Sequence, residues 1–392
     1  MTAQTAVIAA RNAVAVSFLL NGFCFATWAS RIPQVRTDLA LSNGALGILL
    51  LCTAAGSLLA LPTTGGTIQR WGTVAVIRTG GVSAAVGLSL AALGVSPLDN
   101  VAVAAVGLFV YGLGIGVWDV AMNVEGADVE RRLARTIMPR FHAGFSLGTV
   151  AGAGLGALCV ALGVPLLAHL VVVAVGSAVW MSVGAAAFLP VEQETVEGRR
   201  SAWAAWREPR TLLIGCMVLA LAVTEGTAND WLAVALVDGY GTEPWVGVAG
   251  FALFVSAMTL GRLVGPVFLD RFGVPAVLWA TMAVAMVGVL LIVFGGSAAL
   301  VCLGIVFWGV GASLGFPVGM SAAATDPVHA AARVSVVSTI GYAAFLAGPP
   351  LLGFVGDQVG TLRALLVVAA LLVPAMLLVP AARQQPHVGS PH

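Results

Sequence analysis

Polar side chains able to do acid–base or hydrogen-bonding chemistry are scarce in this chain, and most of them interrupt long apolar runs. The string GLGIGVWDVAMN carries Asp119 and, one helical turn later on the same face, Asn123. The string VTEGTANDWLA carries Glu225, Asn229, Asp230 and Trp231, with Glu225 and Asn229 on one face. Asn21 and Trp28 stand in the first apolar run, Arg31 lies at its end, and His142 opens a later run beside Arg140. An ionised side chain in hydrocarbon costs several kcal/mol unless it faces a cavity or a partner, so each of these is a functional candidate. A carboxylate that takes up and releases a proton at such a depth changes the charge of its surroundings, which is the elementary act of proton coupling. Asn and His offer hydrogen bonds to a polar solute, and Trp offers a face to stack on. Asp119 and Glu225 are therefore the candidate proton-coupling groups. Asn21, Trp28, Asn123, His142, Asn229, Asp230 and Trp231 are the candidate solute-binding groups.

Spanning helices must position these residues. Of 392 residues, 59% are apolar and 9% charged, and mean hydropathy is +1.01. A soluble domain has about 25% charged residues, and disorder needs low hydrophobicity. The apolar runs are continuous rather than alternating, which excludes an outer-membrane barrel. A spanning helix needs about 20 apolar residues. The chain divides into twelve such runs near 10–32, 43–66, 73–95, 100–124, 141–163, 165–189, 211–236, 244–268, 275–295, 297–320, 333–356 and 361–381. Apolarity runs on from Arg11 to Trp28, so the first run reads as an uncleaved span and not a signal peptide. The longest polar interruption, PVEQETVEGRRSAWAAWREPR, holds four acids and four arginines. The expected fold is an all-α membrane protein of twelve transmembrane helices in two pseudo-symmetric six-helix bundles. Residues 1–189 form the first bundle, 190–210 a linker, 211–382 the second bundle and 383–392 a tail.

Arginine placement sets the orientation. With a cytoplasmic N-terminus, fifteen of the eighteen arginines, Arg262 among them, fall inside and only Arg31, Arg36 and Arg363 outside. The expected location is the inner (plasma) membrane, with both termini and the linker cytoplasmic.

Other chemistries lack their residues. All eighteen basic residues are arginine, which removes a P-loop lysine and any lysine Schiff base. A net charge of +1 gives no nucleic-acid signal. Cys24, Cys52, Cys159, Cys216 and Cys302 each sit alone, without metal or redox spacing. There is no HExxH, and His169, His329, His387 and His392 are scattered. The chain reads as neither an enzyme nor a cofactor protein, so a proton gradient is the expected energy source.

Some residues recur at a fixed place in each half. GGTIQRWGTVAVIR, residues 65–78, follows the second run, and GRLVGPVFLDRFG, residues 261–273, follows the eighth. Arg70-x-Gly72 in one matches Arg271-x-Gly273 in the other, the mark of a repeated six-helix unit. Gly144, Gly148, Gly152 and Gly156 line one helix face, as do Gly311, Gly315 and Gly319. Such stripes allow close backbone approach, either for static packing or as smooth faces on which the halves rock. Pro317 and Pro349-Pro350 are expected to break their spans and so to line a cavity.

The second junction resembles the loop signature of the major facilitator superfamily, G-x-x-x-D-R-x-G, in Asp270, Arg271 and Gly273, whereas Gln69 stands in the first copy where that family places an acid. The resemblance implies a gate built from Gln69, Arg70, Gly72, Asp270, Arg271 and Gly273, with Glu125 or Asp128 as substitute braces in the first half. The string D-V-A-M-N from Asp119 to Asn123, the G-F-P from Gly315 to Pro317 and the GRLVG from Gly261 to Gly265 are similar to elements of the fucose–galactose–glucose proton symporter family. In that family the fourth-span carboxylate serves proton coupling and sugar binding, which implies this role for Asp119. Its fifth-span glutamine corresponds to His142, a nearby asparagine to Phe145, and its first-span aspartate to Ala29, so several sugar-contacting residues differ here.

The reading that unites these features is a secondary active transporter, a monomer in the lipid bilayer. It moves a small polar solute, sugar-like or a related metabolite, by proton-coupled alternating access. The alternative is a proton-antiport exporter of a drug-like or self-made metabolite.

Overall fold

A computed structural model describes residues 3–41, 43–190, 202–242 and 244–383. Within lipid every backbone N–H and C=O must be satisfied inside its own segment, and helices do this without an edge. Every regular element among the described residues is accordingly helical. In chain order they are α1 (Ala3–Ala29), α2 (Ile32–Asp38), α3 (Asn43–Val95), α4 (Val101–Leu133), α5 (Met138–Ala161), α6 (Leu166–Gly184), α7 (Pro209–Thr227), α8 (Ala233–Tyr240), α9 (Pro244–Phe272), α10 (Val274–Phe294), α11 (Ala298–Ala312), α12 (Gly315–Ala323), α13 (Ala330–Val359), α14 (Thr361–Ala364) and α15 (Leu366–Leu378). Residues 191–201 of the expected linker and 384–392 of the expected tail lie outside the described residues.

Eleven segments among the described residues are long and apolar enough to cross a membrane. One of them, within the 53-residue α3, is the second and third apolar runs joined at Gly72, whose φ of 80° and ψ of 160° are not helical. The seventh run is α7 and α8 joined by a π turn at Ala228–Leu232. The tenth is broken where expected: α11 ends at Ala312 and α12 starts at Gly315, just before Pro317. The eleventh is not broken. Helix α13 runs from Ala330 to Val359 across Pro349-Pro350, a correction to the expected interruption. A spanning helix can absorb proline when its neighbours or local adjustments take up the freed carbonyls.

The chain packs as two compact units. Unit 1 holds residues 1–134, 140–205 and 327–335, and unit 2 holds 135–139, 206–326 and 336–392. In unit 1, α3 packs on α4 and α6, and α1 on α4 and α6. In unit 2, α9 and α10 pack on α11, and α7 on α12 and α15.

The repeated junction is repeated in backbone as well. Gly273 has φ 79° and ψ 158°, within two degrees of Gly72, in a region that side-chain-bearing residues avoid. The arginine before each glycine lies over the aromatic ring that follows it: Arg70 is 5.7 Å from the Trp71 centroid and Arg271 is 5.3 Å from that of Phe272.

The α5 glycine stripe is used inside unit 1. A Cβ at Gly148 would lie 2.0 Å from the Leu19 carbonyl oxygen, and one at Gly152 2.4 Å from that of Phe23. This face is occupied by α1, so of the two readings of the stripe, fixed packing describes it.

Candidate functional site

In unit 1 the sequence-predicted residues of α4 and α5 form a chain. Asn123 lies one turn after Asp119, and its side-chain amide donates to the Asp119 backbone carbonyl at 2.9 Å and to Asp119 Oδ1 at 3.3 Å. Its Oδ1 meets His142 Nε2 at 3.3 Å. Asp119 is 5% exposed and Asn123 fully buried. Because the Asn amide donates to the carboxylate, its oxygen is left as an acceptor, which fixes His142 Nε2 as the donor. The three groups form one directed path from imidazole to carboxylate.

Helix α1 closes this cluster. Ser17 receives a 2.8 Å hydrogen bond from Trp118 Nε1 and donates to Met122 Sδ at 3.8 Å. The Phe18 ring stands edge-on to His142 with centroids 4.8 Å apart. Asn21 is one turn further along α1, buried, and its Nδ2 has no hydrogen-bond partner among the described residues. A buried amide donor left open in this way is a place for a ligand or water acceptor. Trp28 is buried within unit 1, so its ring is not offered as an open stacking face.

In unit 2 the expected carboxylate is already engaged. Arg262 Nη2 donates to Glu225 Oε2 at 2.9 Å, and Arg262 Nε donates to the Ser313 carbonyl at 3.2 Å. The positive-inside count assigns Arg262 to the cytoplasmic side of the eighth run; in the structure it lies within α9, ten residues before the helix ends at Phe272, and is 4% exposed. Its second contact follows from the proline. The Ser313 carbonyl would normally receive the N–H four residues on, but that residue is Pro317, which has none. The guanidinium supplies the missing donor. Gly261 and Gly265 flank it and bring α9 close: a Cβ on either would lie 2.5 Å from Ser313 Oγ or Leu314 Cδ2. One arginine thus ties α7, α9 and the broken tenth span.

The π turn after Glu225 carries Asn229, Asp230 and Trp231. Such turns shift the helical face by one residue and recur at functional sites. Asn229 and Asp230 are exposed, while Trp231 is half-buried with its ring against Gly353 of α13 and its Nε1 without a partner among the described residues. Asp230 is ten residues from the end of α8 at Tyr240, about 15 Å of helical rise. An ionised carboxylate at that depth is costly unless it faces a cavity or a partner.

Asp270 accepts from Thr136 Oγ1 and, at 3.4 Å, from the Thr136 backbone N–H, both within unit 2. Arg70 and Arg271 are exposed, and Gln69 is half-buried. Of the two expected braces, Asp128 pairs with Arg131 and Arg132 in its own helix. Glu125 is the one that reaches the junction. Buried, it accepts from Leu189 N at 2.6 Å and from the hydroxyl of Thr73, next to Gly72, at 3.2 Å.

Three groups escaped the sequence reading. Arg262 was visible only as an arginine inside an apolar run. Arg31 and His169, 138 residues apart, carried no joint signal, yet Arg31 Nε donates to His169 Nδ1 at 3.0 Å and its Nη2 to the Val164 carbonyl at 3.0 Å. Ser17 and Trp118 were unremarked. A crevice of about 520 Å³ between α9, α10 and α11 is lined by Leu260, Val264, Phe268, Val277 and Val284. Its apolar walls suit acyl chains and not a polar solute.

The Major Facilitator Superfamily family model matches residues 14–320. An uncharacterised transporter of Sinorhizobium fredii is 34% identical over 370 residues, covering 91% of this chain and 96% of that one. The membrane protein MosC of Rhizobium meliloti is 28% identical over 91% of this chain and 86% of its own length. In fold, the chain is similar to the E. coli fucose:proton symporter FucP, with a TM-score of 0.80 and 16% identity over 97% of this chain and 100% of that one. The chain, a multi-pass membrane transporter and not an enzyme, belongs to the Major Facilitator Superfamily.

Proposed function

We propose that the protein is a proton-coupled secondary transporter of a small polar solute, with Asp119 as its coupling carboxylate. The observation that carries this reading is the buried Asp119–Asn123–His142 path. Protonating Asp119 removes a negative charge from a low-dielectric site, and the Asn123 amide and His142 ring connect that charge to a solute's hydroxyls. Asn21, with its open donor beside this cluster, is a solute ligand. Asn229, Asp230 and Trp231 are the corresponding ligands in unit 2. The protein works as a monomer by alternating access, with Gln69, Arg70, Gly72, Asp270, Arg271 and Gly273 at the gate. It sits in the inner membrane with both termini cytoplasmic, as the arginine distribution favours. FucP is named as a fucose:proton symporter, and a sugar-like solute fits the hydrogen-bonding groups of unit 1.

The test is uptake into sealed liposomes holding the purified protein, with an internal pH dye and a panel of hexoses, deoxyhexoses and organic acids. Asp119→Asn abolishes uphill uptake and keeps downhill exchange. Unchanged uphill uptake in that variant refutes the coupling role. A second reading, export of an apolar compound, draws on the crevice between α9, α10 and α11. Toxin-resistance profiling of a deletion strain against growth on single carbon sources separates the two.

A further inference from the structure

We propose that an anionic phospholipid docks on unit 2, with its phosphate at Arg271 and the start of α10 and one acyl chain in the crevice between α9, α10 and α11. The inference goes beyond the transporter reading and does not depend on which solute is carried.

The shape and lining of the crevice call for a hydrocarbon chain. Its volume is about 520 Å³, in the range of small-ligand pockets. Leu260, Val264, Phe268 and Phe272 recur every four residues along α9 and are all exposed, so they form one outward-facing stripe. Ala276 and Ala280 stand opposite on α10 and leave the space unfilled. Two hydroxyls reach the wall, and both are engaged by their own helices. Thr281 donates to the Leu278 carbonyl at 3.1 Å and Ser313 to the Val310 carbonyl at 2.6 Å. The wall therefore presents methyl groups and rings. From Phe272 to Leu260 is twelve residues, about 18 Å of helical rise. One leaflet's share of the hydrocarbon core is about 15 Å, so the crevice takes one chain lying along a leaflet.

Charge complementarity selects the headgroup. Helices α9, α10 and α11 carry three charged residues. Arg262 pairs with Glu225, Asp270 accepts from Thr136, and Arg271 is exposed. The Arg271 guanidinium lies 5.3 Å from the Phe272 centroid, and Phe272 stacks on Phe268 with centroids 6.3 Å apart. A cation thus stands at the head of the ring pair that leads into the crevice. Gly273 follows and opens α10 with no side-chain cap among the described residues, so the first-turn N–H groups of α10 are directed to the same end. Ala276, in that first turn, also lines the crevice. A phosphate diester there meets a guanidinium and a helix N-terminus, while its chain follows Phe272 and Phe268 inward. A zwitterionic lipid brings the same phosphate but adds its own cation beside Arg271, so an anionic headgroup is preferred. The arginine distribution favours the cytoplasmic side for this end, where anionic lipids attract basic residues.

The experiment is native mass spectrometry of the purified full-length protein, titrated in detergent with dioleoyl phosphatidylglycerol, dioleoyl phosphatidylcholine, and glycerol 3-phosphate as a headgroup without chains. Wild type retains one phosphatidylglycerol more tightly than phosphatidylcholine, and glycerol 3-phosphate does not displace it. Arg271→Gln lowers the phosphatidylglycerol affinity about fivefold, the share of one arginine near a charged surface. Ala280→Trp fills the crevice, keeps every charge, and also loses the tight lipid. Should that variant fail to fold, dihexanoyl phosphatidylglycerol on wild type makes the same test: its short chains leave the crevice unfilled, and it binds more weakly than the dioleoyl lipid. Equal retention of the two dioleoyl lipids by wild type, or undiminished retention of phosphatidylglycerol by Arg271→Gln, overturns the proposal. So does displacement by glycerol 3-phosphate, undiminished retention by Ala280→Trp, or equal binding of the short-chain lipid, each of which marks attraction to the headgroup alone.

Discussion

Removing either partner of the Glu225–Arg262 pair leaves a different residue stranded, and the two costs differ for a reason visible in the structure. Glu225→Ala leaves a guanidinium that is 4% exposed and cannot deprotonate. Breaking a buried pair from one side costs about 3–5 kcal/mol, and this variant belongs at about 4. Arg262→Ala leaves a carboxylate less buried than the guanidinium, with a side chain 18% exposed, so its electrostatic cost is smaller, about 2 kcal/mol. It also strips the Ser313 carbonyl of the donor that Pro317 cannot supply, worth about 1 kcal/mol. The double variant removes both charges and keeps only the carbonyl and packing losses. It is expected to be no less stable than Glu225→Ala alone, which implies an interaction energy of about 3 kcal/mol, the upper end for contacting residues. The assay is equilibrium unfolding of the four proteins in one mixed-micelle system. If the two single losses add within about 0.5 kcal/mol, the sites are independent, and the charge argument falls.

Gly72→Ala and Gly273→Ala each place a Cβ at a φ near +80°, and each is expected to lose about 1–3 kcal/mol of stability in the same unfolding assay. Similar losses at both positions would be the signature of the repeated junction. Arg31→Ala frees His169 Nδ1 and the Val164 carbonyl in a buried site. A loss of about 2–4 kcal/mol is expected, and Arg31→Lys, without the fork, restores less than half of it. Glu125→Ala leaves Leu189 N and the Thr73 hydroxyl without acceptors and costs about 2–3 kcal/mol. Asp128→Ala breaks only pairs within its own helix and costs less than about 1 kcal/mol, so a chymotrypsin-accessibility or melting comparison of the two shows which acid braces the first junction.

What the sequence made legible is what one helix can decide alone. Apolar length marks the spans, a one-turn spacing puts Asn123 beside Asp119, and a glycine after an arginine marks the junctions at Gly72 and Gly273. Each is local, and each stands in the structure. The illegible part is what several helices decide together. Arg262 shows why. An arginine count scores it only for its side of the membrane and names no partner, although a lone charge in hydrocarbon is costly. The cost disappears when two other helices supply partners, and those partners, Glu225 and the Ser313 carbonyl, are 37 and 51 residues away. The carbonyl is open only because Pro317 follows it by four, so the proline that was read as a cavity-lining break has a second consequence. It creates the acceptor that an arginine on a neighbouring helix fills. Proline, arginine and glutamate therefore form one device. A change at Pro317 that restores the N–H, such as Pro317→Ala, would let the helix satisfy its own carbonyl and loosen Arg262 without touching either charge. Its expected signature is a weaker Glu225–Arg262 interaction energy in the same four-protein cycle built on the Pro317→Ala background. An unchanged interaction energy there would mean that the guanidinium is held by the carboxylate alone.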